Sequence, residues 1–245
     1  MASRLDISVE NVTPIQQSEL YRIHDRRYVD GVFNGTLTNG HGSFDLDIAK
    51  STLWTVGSLV TAAQEAQKCG VACSPTSGFH HASFDDGGGF CTFNGLVLAA
   101  LRILDDKAIK KVGILDCDWH FGNGTEDIIA KLELQDCISH WTLGGSKNVI
   151  DRFLKGLPCV IKKLDAGLII YQAGADPHFR DPLGGDFNDE ELRERDRIVF
   201  TECKRLGIPV VWNLAGGYQR DKDGGIAPVL DIHRATMEEC VRAWS

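Results

Sequence analysis

From about residue 47 onward, amphipathic stretches alternate with short apolar, β-branched runs, a pattern that predicts a parallel α/β sheet. The first amphipathic stretch predicts a helix over 48–68, starting after Asp47 and stopping at Gly70, a glycine suited to a left-handed cap. The apolar runs predict strands at 71–73, 112–115, 137–140, 167–173 and 209–214. Helices are expected near 94–106, 124–134, 146–155, 188–205 and 226–243, with Asn94 and Asn188 as N-caps of two of them. No repeat, low-complexity tract or Pro/Ser-rich linker divides the 245 residues. One α/β domain over 1–245, a central parallel β-sheet flanked by helices, is therefore expected. Glycines cluster at 87–89, 144–145, 184–185, 216–217 and 224–225, marking long, permissive loops. In open parallel sheets ligands bind beyond the carboxyl ends of the strands, so the polar residues at those ends carry the functional question.

The strand at 112–115 runs into Asp116, Cys117, Asp118, Trp119 and His120. Alternation in an extended segment puts Asp116, Asp118 and His120 on one side, with Cys117 and Trp119 as packing residues between them. A lone aspartate at a strand end is ordinarily a turn former, but a carboxylate and an imidazole so spaced can converge on one cation. The strand at 167–173 brings Asp176 to a comparable position. Two carboxylates and one neutral histidine balance a divalent ion and leave a coordination position open, as in a catalytic rather than a structural site.

His80 and His81 follow the strand at 71–73. Adjacent histidines are either ligands, chance neighbours, or a proton-transfer pair, and with three ligands already at hand the last role suits them best. If a carboxylate orients one imidazole and a neutral group the other, their pKa values separate and the second stays neutral as a base. After the strand at 209–214, Gly216 and Gly217 allow a sharp turn that aims Tyr218 into the cleft. There a phenol would stabilise an oxyanion; elsewhere a tyrosine after two glycines is a packing residue.

A hydrophobic content of 43% and a charged content of 24% are ordinary for a globular protein, and no apolar run has the length of a membrane span. No membrane partner is expected. The N-terminus lacks a basic flank followed by an apolar stretch, so a cytoplasmic location is expected. A formal charge of −8 argues against nucleic acid, and is compatible with a cationic substrate or with plain solubility. Eight cysteines without a CxxC pair argue against a zinc ribbon or a disulfide framework.

Taken together, GFHHASFDDGGGFCTFNGL at 78–96, ILDCDWHFGNGTEDI at 114–128, YQAGADPHFRDPLGGDF at 171–187 and LAGGYQR at 214–220 closely resemble the histone deacetylase family of the wider arginase–deacetylase group. The details look nearer to its class IV and bacterial members. The resemblance implies the arginase–deacetylase fold and a zinc-dependent amidohydrolase that removes an acetyl group from an acetylated amine, such as acetyl-lysine in a protein or an acetylpolyamine. It implies Asp118, His120 and Asp176 as ligands of Zn²⁺, with Fe²⁺ as the alternative metal, and His80, His81 and Tyr218 as catalytic residues. By the same resemblance Asp116 orients His80 and Asn123 lies against His81. Since a neutral amide does not stabilise imidazolium as a carboxylate does, His81 is expected to be the neutral base and His80 the more cationic partner. Asp116 with Ser139 and backbone carbonyls resembles the family's K⁺ site; the Gly89 carbonyl would accept the substrate amide proton, and Phe90 would wall the acyl-lysine channel.

The chain departs from this pattern in places. Its N-terminus is short where relatives place a first strand and a substrate loop, so the rim of the site is expected to be incomplete or supplied by another subunit of a homo-oligomer. Phe121 follows His120 where many relatives carry His or Gln, and HWTLGGSKN after Ser139 lacks a second channel Phe, leaving Trp141 or Leu143 as candidates. Two rival readings remain. A two-metal ureohydrolase of arginase type needs carboxylates where this chain has Gly122 and Gly174. A catalytically silent acyl-amine binding module would have no need of the full catalytic set, Tyr218 included. A dinucleotide fingerprint at Gly122 and Gly124 lacks its third glycine, and Glu126 would repel a phosphate.

Overall fold

The computed structural model describes residues 7–144 and 150–245. Five parallel strands, β1 (Val71–Ser74), β2 (Val112–Asp116), β3 (Ile138–Thr142), β4 (Leu168–Gly174) and β5 (Val210–Ala215), form one sheet in the order β1-β5-β4-β2-β3. Parallel neighbours need crossovers. These are supplied by α4 (Gly95–Leu104), α5 (Asn123–Lys131), α6 (Ile150–Lys163) and α7 (Asp189–Leu206), while α3 (Leu46–Cys69) leads into β1 and α8 (Ala227–Trp244) follows β5. Two further helices, α1 (Gln17–Leu20) and α2 (Arg26–Asn34), precede them.

Successive side chains of a strand point to opposite faces, so a buried strand feeds two cores. Along β4, Leu168 and Ile170 pack with Leu59, Ala63 and Leu98 of α3 and α4. Ile169, Tyr171 and Ala173 pack with Leu157, Val199 and Phe200 of α6 and α7. The result is three layers, helix on sheet on helix, and β4 is buried along its whole length. The chain leaves β2 toward β3 at one edge and leaves β4 toward β5 on the other side. Between β2 and β4 the two paths diverge, which opens a crevice at their carboxyl ends.

The apolar runs place all five strands to within about two residues. Asn94 and Asn188 cap α4 and α7, accepting from Val97 N at 3.2 Å and Glu191 N at 2.9 Å. The α3 cap is Asp45 rather than Asp47: Asp45 Oδ1 accepts from Asp47 N at 2.8 Å, so the helix starts earlier than expected. The helix expected at 146–155 runs on to Lys163 through Pro158, because Phe153, Leu157 and Ile161 recur every fourth residue and bury one face; residues 146–149 of that expectation lie outside the described residues. Among the described residues no helix is long and apolar enough to cross a membrane.

His24, between α1 and α2, ties the loop after β1 to the start of α4. Its Nδ1–H donates to Ser83 O at 2.8 Å, and its Nε2 accepts the backbone N–H of Asn94 at 2.9 Å. Acceptance at Nε2 requires a neutral ring, and burial lowers the pKa of His24 from 6.5 to about 4. With the folded pKa depressed, the unfolded chain gains its proton first as pH falls, so stability present above pH 6.5 is lost progressively down to about pH 4. The stability advantage of the wild type over His24→Gln should shrink by about 2 kcal/mol between pH 7 and pH 5. Urea unfolding in the presence of a chelator measures it; a pH-independent difference would show that His24 is not held neutral.

Candidate active site

The crevice between β2 and β4 is lined by carboxylates. Asp116 closes β2 and is fully buried, and its oxygens are fully engaged. Oδ1 accepts from Asp118 N at 3.1 Å and from Gln172 Nε2 at 3.0 Å, while Oδ2 accepts from His80 Nδ1 at 2.7 Å. Asp118 and His120 follow in the turn beyond the strand, and Asp176 comes from the turn beyond β4, where its Oδ1 accepts from Trp119 N at 3.1 Å. Cys117 and Trp119, which alternate with the polar set, are buried in the core under α6 and α7.

Asp118, His120 and Asp176 each offer a ligand atom, and these atoms lie within 4.8 Å of one another. His120 Nδ1 is 3.1 Å from Asp118 Oδ1 and 2.8 Å from Asp176 Oδ2. Yet Asp176 Oδ2 is buried and makes no hydrogen bond; the approach is close without the alignment of one. Burial and then Asp118 push the Asp176 carboxyl up to about 6, and the adjoining carboxylates of Asp118 and Asp176 push His120 up to about 10. Without a cation, the two carboxylates are thus partly neutralised by protons drawn onto His120 and Asp176. A divalent ion would take over that role, and an unpartnered buried carboxylate oxygen beside an imidazole is a donor set that fits it.

The loop after β1 places the histidine pair beside this cluster. Their rings are 4.0 Å apart between centroids, and the His81 ring is 6.0 Å from that of His120. They are made different by their second partners. His80 is buried, which lowers its pKa, but the charge of Asp116 and the bond to it outweigh burial and raise it to about 9. His81 Nδ1–H donates to Asn123 Oδ1 at 2.6 Å, and burial followed by the neighbouring His80 lowers its pKa. His81 thus stays neutral, with Nε2 the nitrogen that Asn123 leaves free. Gly89 lies over this ring: a Cβ there would meet His81 Cδ2 at 2.5 Å.

Tyr218, after β5, is half-buried, and burial and then Asp118 and Asp176 raise its pKa, so the phenol keeps its proton. Its backbone N–H donates to Asp181 Oδ2 at 2.7 Å, and Asp181 Oδ1 accepts from Leu183 N at 2.9 Å. Phe90 is 53% exposed and its ring lies 5.9 Å from that of Tyr218 and 5.6 Å from that of His41, at the mouth of the site.

The strand register corrects one expectation. Ser139 pairs with Gly113, three positions and about 10 Å along the strand from Asp116. The residue opposite Asp116 is Thr142, whose hydroxyl accepts from Gly122 N at 3.2 Å, so no cation site is built from Asp116 and Ser139. Trp141 stacks on Phe153 at 5.7 Å, and Leu143 is buried. Asp181 and Gln172 were not anticipated. The contact of Asp181 with Leu183 is a local turn bond, but its contact with Tyr218 spans 37 residues and leaves no sequence signal.

The model of the histone deacetylase domain matches residues 2–147, more than half of the chain. Acetylpolyamine amidohydrolase 1 of Pseudomonas aeruginosa is 36% identical over 191 residues, covering 63% of this chain and 52% of that protein. Histone deacetylase 2 of Arabidopsis thaliana is 27% identical over 199 residues, covering 72% of this chain and 51% of that protein. The chain therefore spans about half the length of these two curated relatives. The crystal structure of the HDA15 HD domain superposes with a TM-score of 0.75 at 20% identity, covering 96% of this chain and 74% of that one, a likeness of fold.

If the neutral amide of Asn123 keeps His81 uncharged, Asn123→Asp should raise the His81 pKa by about one unit or more. Imidazole nitrogen NMR on chelator-treated protein reads this directly. An unmoved His81 titration would assign its neutrality to burial and His80 alone.

Proposed function

Because the chain belongs to the histone deacetylase family, we propose that it hydrolyses the amide of an acetylated amine in a metal-dependent reaction, yielding acetate and the free amine. One observation carries this reading: a histidine held by an amide stands against a histidine held by a carboxylate, beside an Asp/His/Asp cluster. That pairing separates base from electrostatic partner, as acid–base hydrolysis requires.

Asp118, His120 and Asp176 would hold Zn²⁺ or Fe²⁺, which when bound polarises the acetamide carbonyl and acidifies water. His81 Nε2 takes the proton of the attacking water, with Nδ1–H held by Asn123 so that the ring cannot turn away. His80, kept protonated by Asp116, holds positive charge where negative charge develops. The Tyr218 hydroxyl donates to the oxyanion as the carbonyl carbon becomes tetrahedral, and Asp181 holds the backbone of that tyrosine. A histidine then returns the proton to the departing nitrogen. Gly89, through its carbonyl, would orient the substrate amide, and Phe90 would flank the acyl-amine chain. The Pseudomonas and Arabidopsis relatives bear names for acetylpolyamine and histone deacetylation, both acetylated amines. These names support an acetylated amine as the substrate class.

Acetate release should be measured with acetyl-lysine peptides, acetylpolyamines and small acylamides on one preparation. Removal of metal by a chelator should abolish it, and about one equivalent of Zn²⁺ per chain should restore it. Tyr218→Phe should lower kcat by about 10²–10³ and His81→Ala by about 10²–10⁴. Activity that survives both substitutions would overturn the residue assignment, and two tightly bound ions per chain would overturn the one-metal reading.

A further inference from the structure

The backbone bonding that joins β2 to β4 ends at Cys117 N, which donates to Gln172 O at 3.0 Å. Beyond that bond the two segments carry the acidic residues of the site, Asp118 one residue after Cys117 and Asp176 two residues after Gly174. The carbonyls of Cys117 and Gly174 are left past the end of the ladder in a buried place, where an unpaired carbonyl is costly. Both are satisfied by one group. Arg195 of α7 is 0% exposed, and its Nη1 donates to Gly174 O at 2.7 Å and to Cys117 O at 3.3 Å.

The arginine is itself anchored. Its Nε donates to Asp196 Oδ1 at 2.8 Å. Asp196 is fully enclosed and also accepts from the Tyr171 hydroxyl on β4 and, at 2.6 Å, from Thr236 Oγ1 on α8. Arg195 Nη2 remains buried without a partner. An arrangement that served packing alone would be replaceable by apolar side chains at no loss of stability. What apolar side chains cannot do is bridge two carbonyls on neighbouring strands. On the far side of β4, Ala175 N donates to Ala215 O at 2.8 Å, so the segment that delivers Asp176 is held from both sides.

We propose that Arg195 is a positioning residue for the metal site: its guanidinium extends the β2–β4 pairing past its last backbone bond and so sets the spacing of Asp118 and Asp176. This rests on the reading of Asp118, His120 and Asp176 as the ligands. A lysine would keep the charge near Asp196, but a single ammonium does not reproduce the planar fork that holds Asp196 and both carbonyls at once.

The test is Zn²⁺ affinity, measured on chelator-stripped protein by competition with a chelating dye at one pH, after far-UV circular dichroism has shown each variant folded. Arg195→Lys should bind Zn²⁺ about tenfold to a hundredfold more weakly than the wild type, as substitutions behind metal ligands do. Thr236→Val loosens Asp196 without touching either carbonyl; it should lower the metal-free Tm and change Zn²⁺ affinity less than about threefold, a fraction of the effect expected of groups behind the ligands. Should Arg195→Lys fail to fold, the double variant Arg195→Met with Asp196→Leu removes both charges and should fold, with the same loss of affinity. Wild-type Zn²⁺ affinity in either folded Arg195 variant would overturn the proposal, as would an equal loss in Thr236→Val. Binding is read without turnover, so this result stands or falls independently of whether acetate is released.

Discussion

Three carboxylates, Asp116, Asp118 and Asp176, are buried side by side at the carboxyl ends of two adjacent strands, and the surrounding structure is arranged around that concentration of negative charge. Burying one unpaired carboxylate costs several kcal/mol, and like charges this close oppose one another as well. Asp116 is relieved by three donors, two of them side chains from β4 and from the loop after β1. Asp118 and Asp176 are relieved only in part, by backbone amides and by His120, whose Nδ1 lies between them. That remainder is the charge a divalent ion in the proposed site would offset. In the proposed site metal binding and folding stability would be coupled, and protons would compete with the metal for the same oxygens.

The histidine pair answers the same charge in two ways. His80 faces Asp116 and is drawn to its charged form, which spends one positive charge on the carboxylate cluster. That charge in turn disfavours a second proton on His81, whose other partner is an amide rather than an acid. Identical side chains at consecutive positions thus acquire opposite protonation preferences from neighbours 36 and 42 residues away. The base proposed for the reaction is consequently a product of the tertiary fold.

What the sequence made legible follows from how local each signal is. Strand ends, the caps Asn94 and Asn188, and the convergence of Asp118, His120 and Asp176 rest on periodicity and on polar residues placed just past apolar runs, so they can be read along the chain. Register cannot. Ser139 and Thr142 lie in the same short strand after Asp116, and only the pairing of β2 with β3 puts Thr142 opposite it. Nothing along the chain showed what Arg195 would hold, because its contact with Cys117 spans 78 residues. The α6 helix outran its expected end because packing of Phe153, Leu157 and Ile161 outweighs the local preference of Pro158 to stop it.

In the proposed site, room for a second metal is limited by backbone approach as well as by ligand chemistry. A Cβ at position 174 would lie 2.5 Å from Asp118 Cα, and one at position 122 would lie 2.6 Å from Asp116 Oδ2. Neither place admits a side chain unless these neighbours shift, so the carboxylates a second ion would need are disfavoured by the same close packing that brings the first set together. A site limited to one ion must leave proton transfer to side chains, since no second ion shares the task of activating water. In the proposed reaction that requirement falls on His81, and a base serves only while neutral near the working pH. Asn123 meets the requirement where an aspartate would defeat it, and it can do so because it lies at the first turn of α5, reached directly from the strand that carries Asp116. The close approach of β2 to β4 and the choice of an amide behind His81 are in this sense one design constraint, met at two ends of the same short segment.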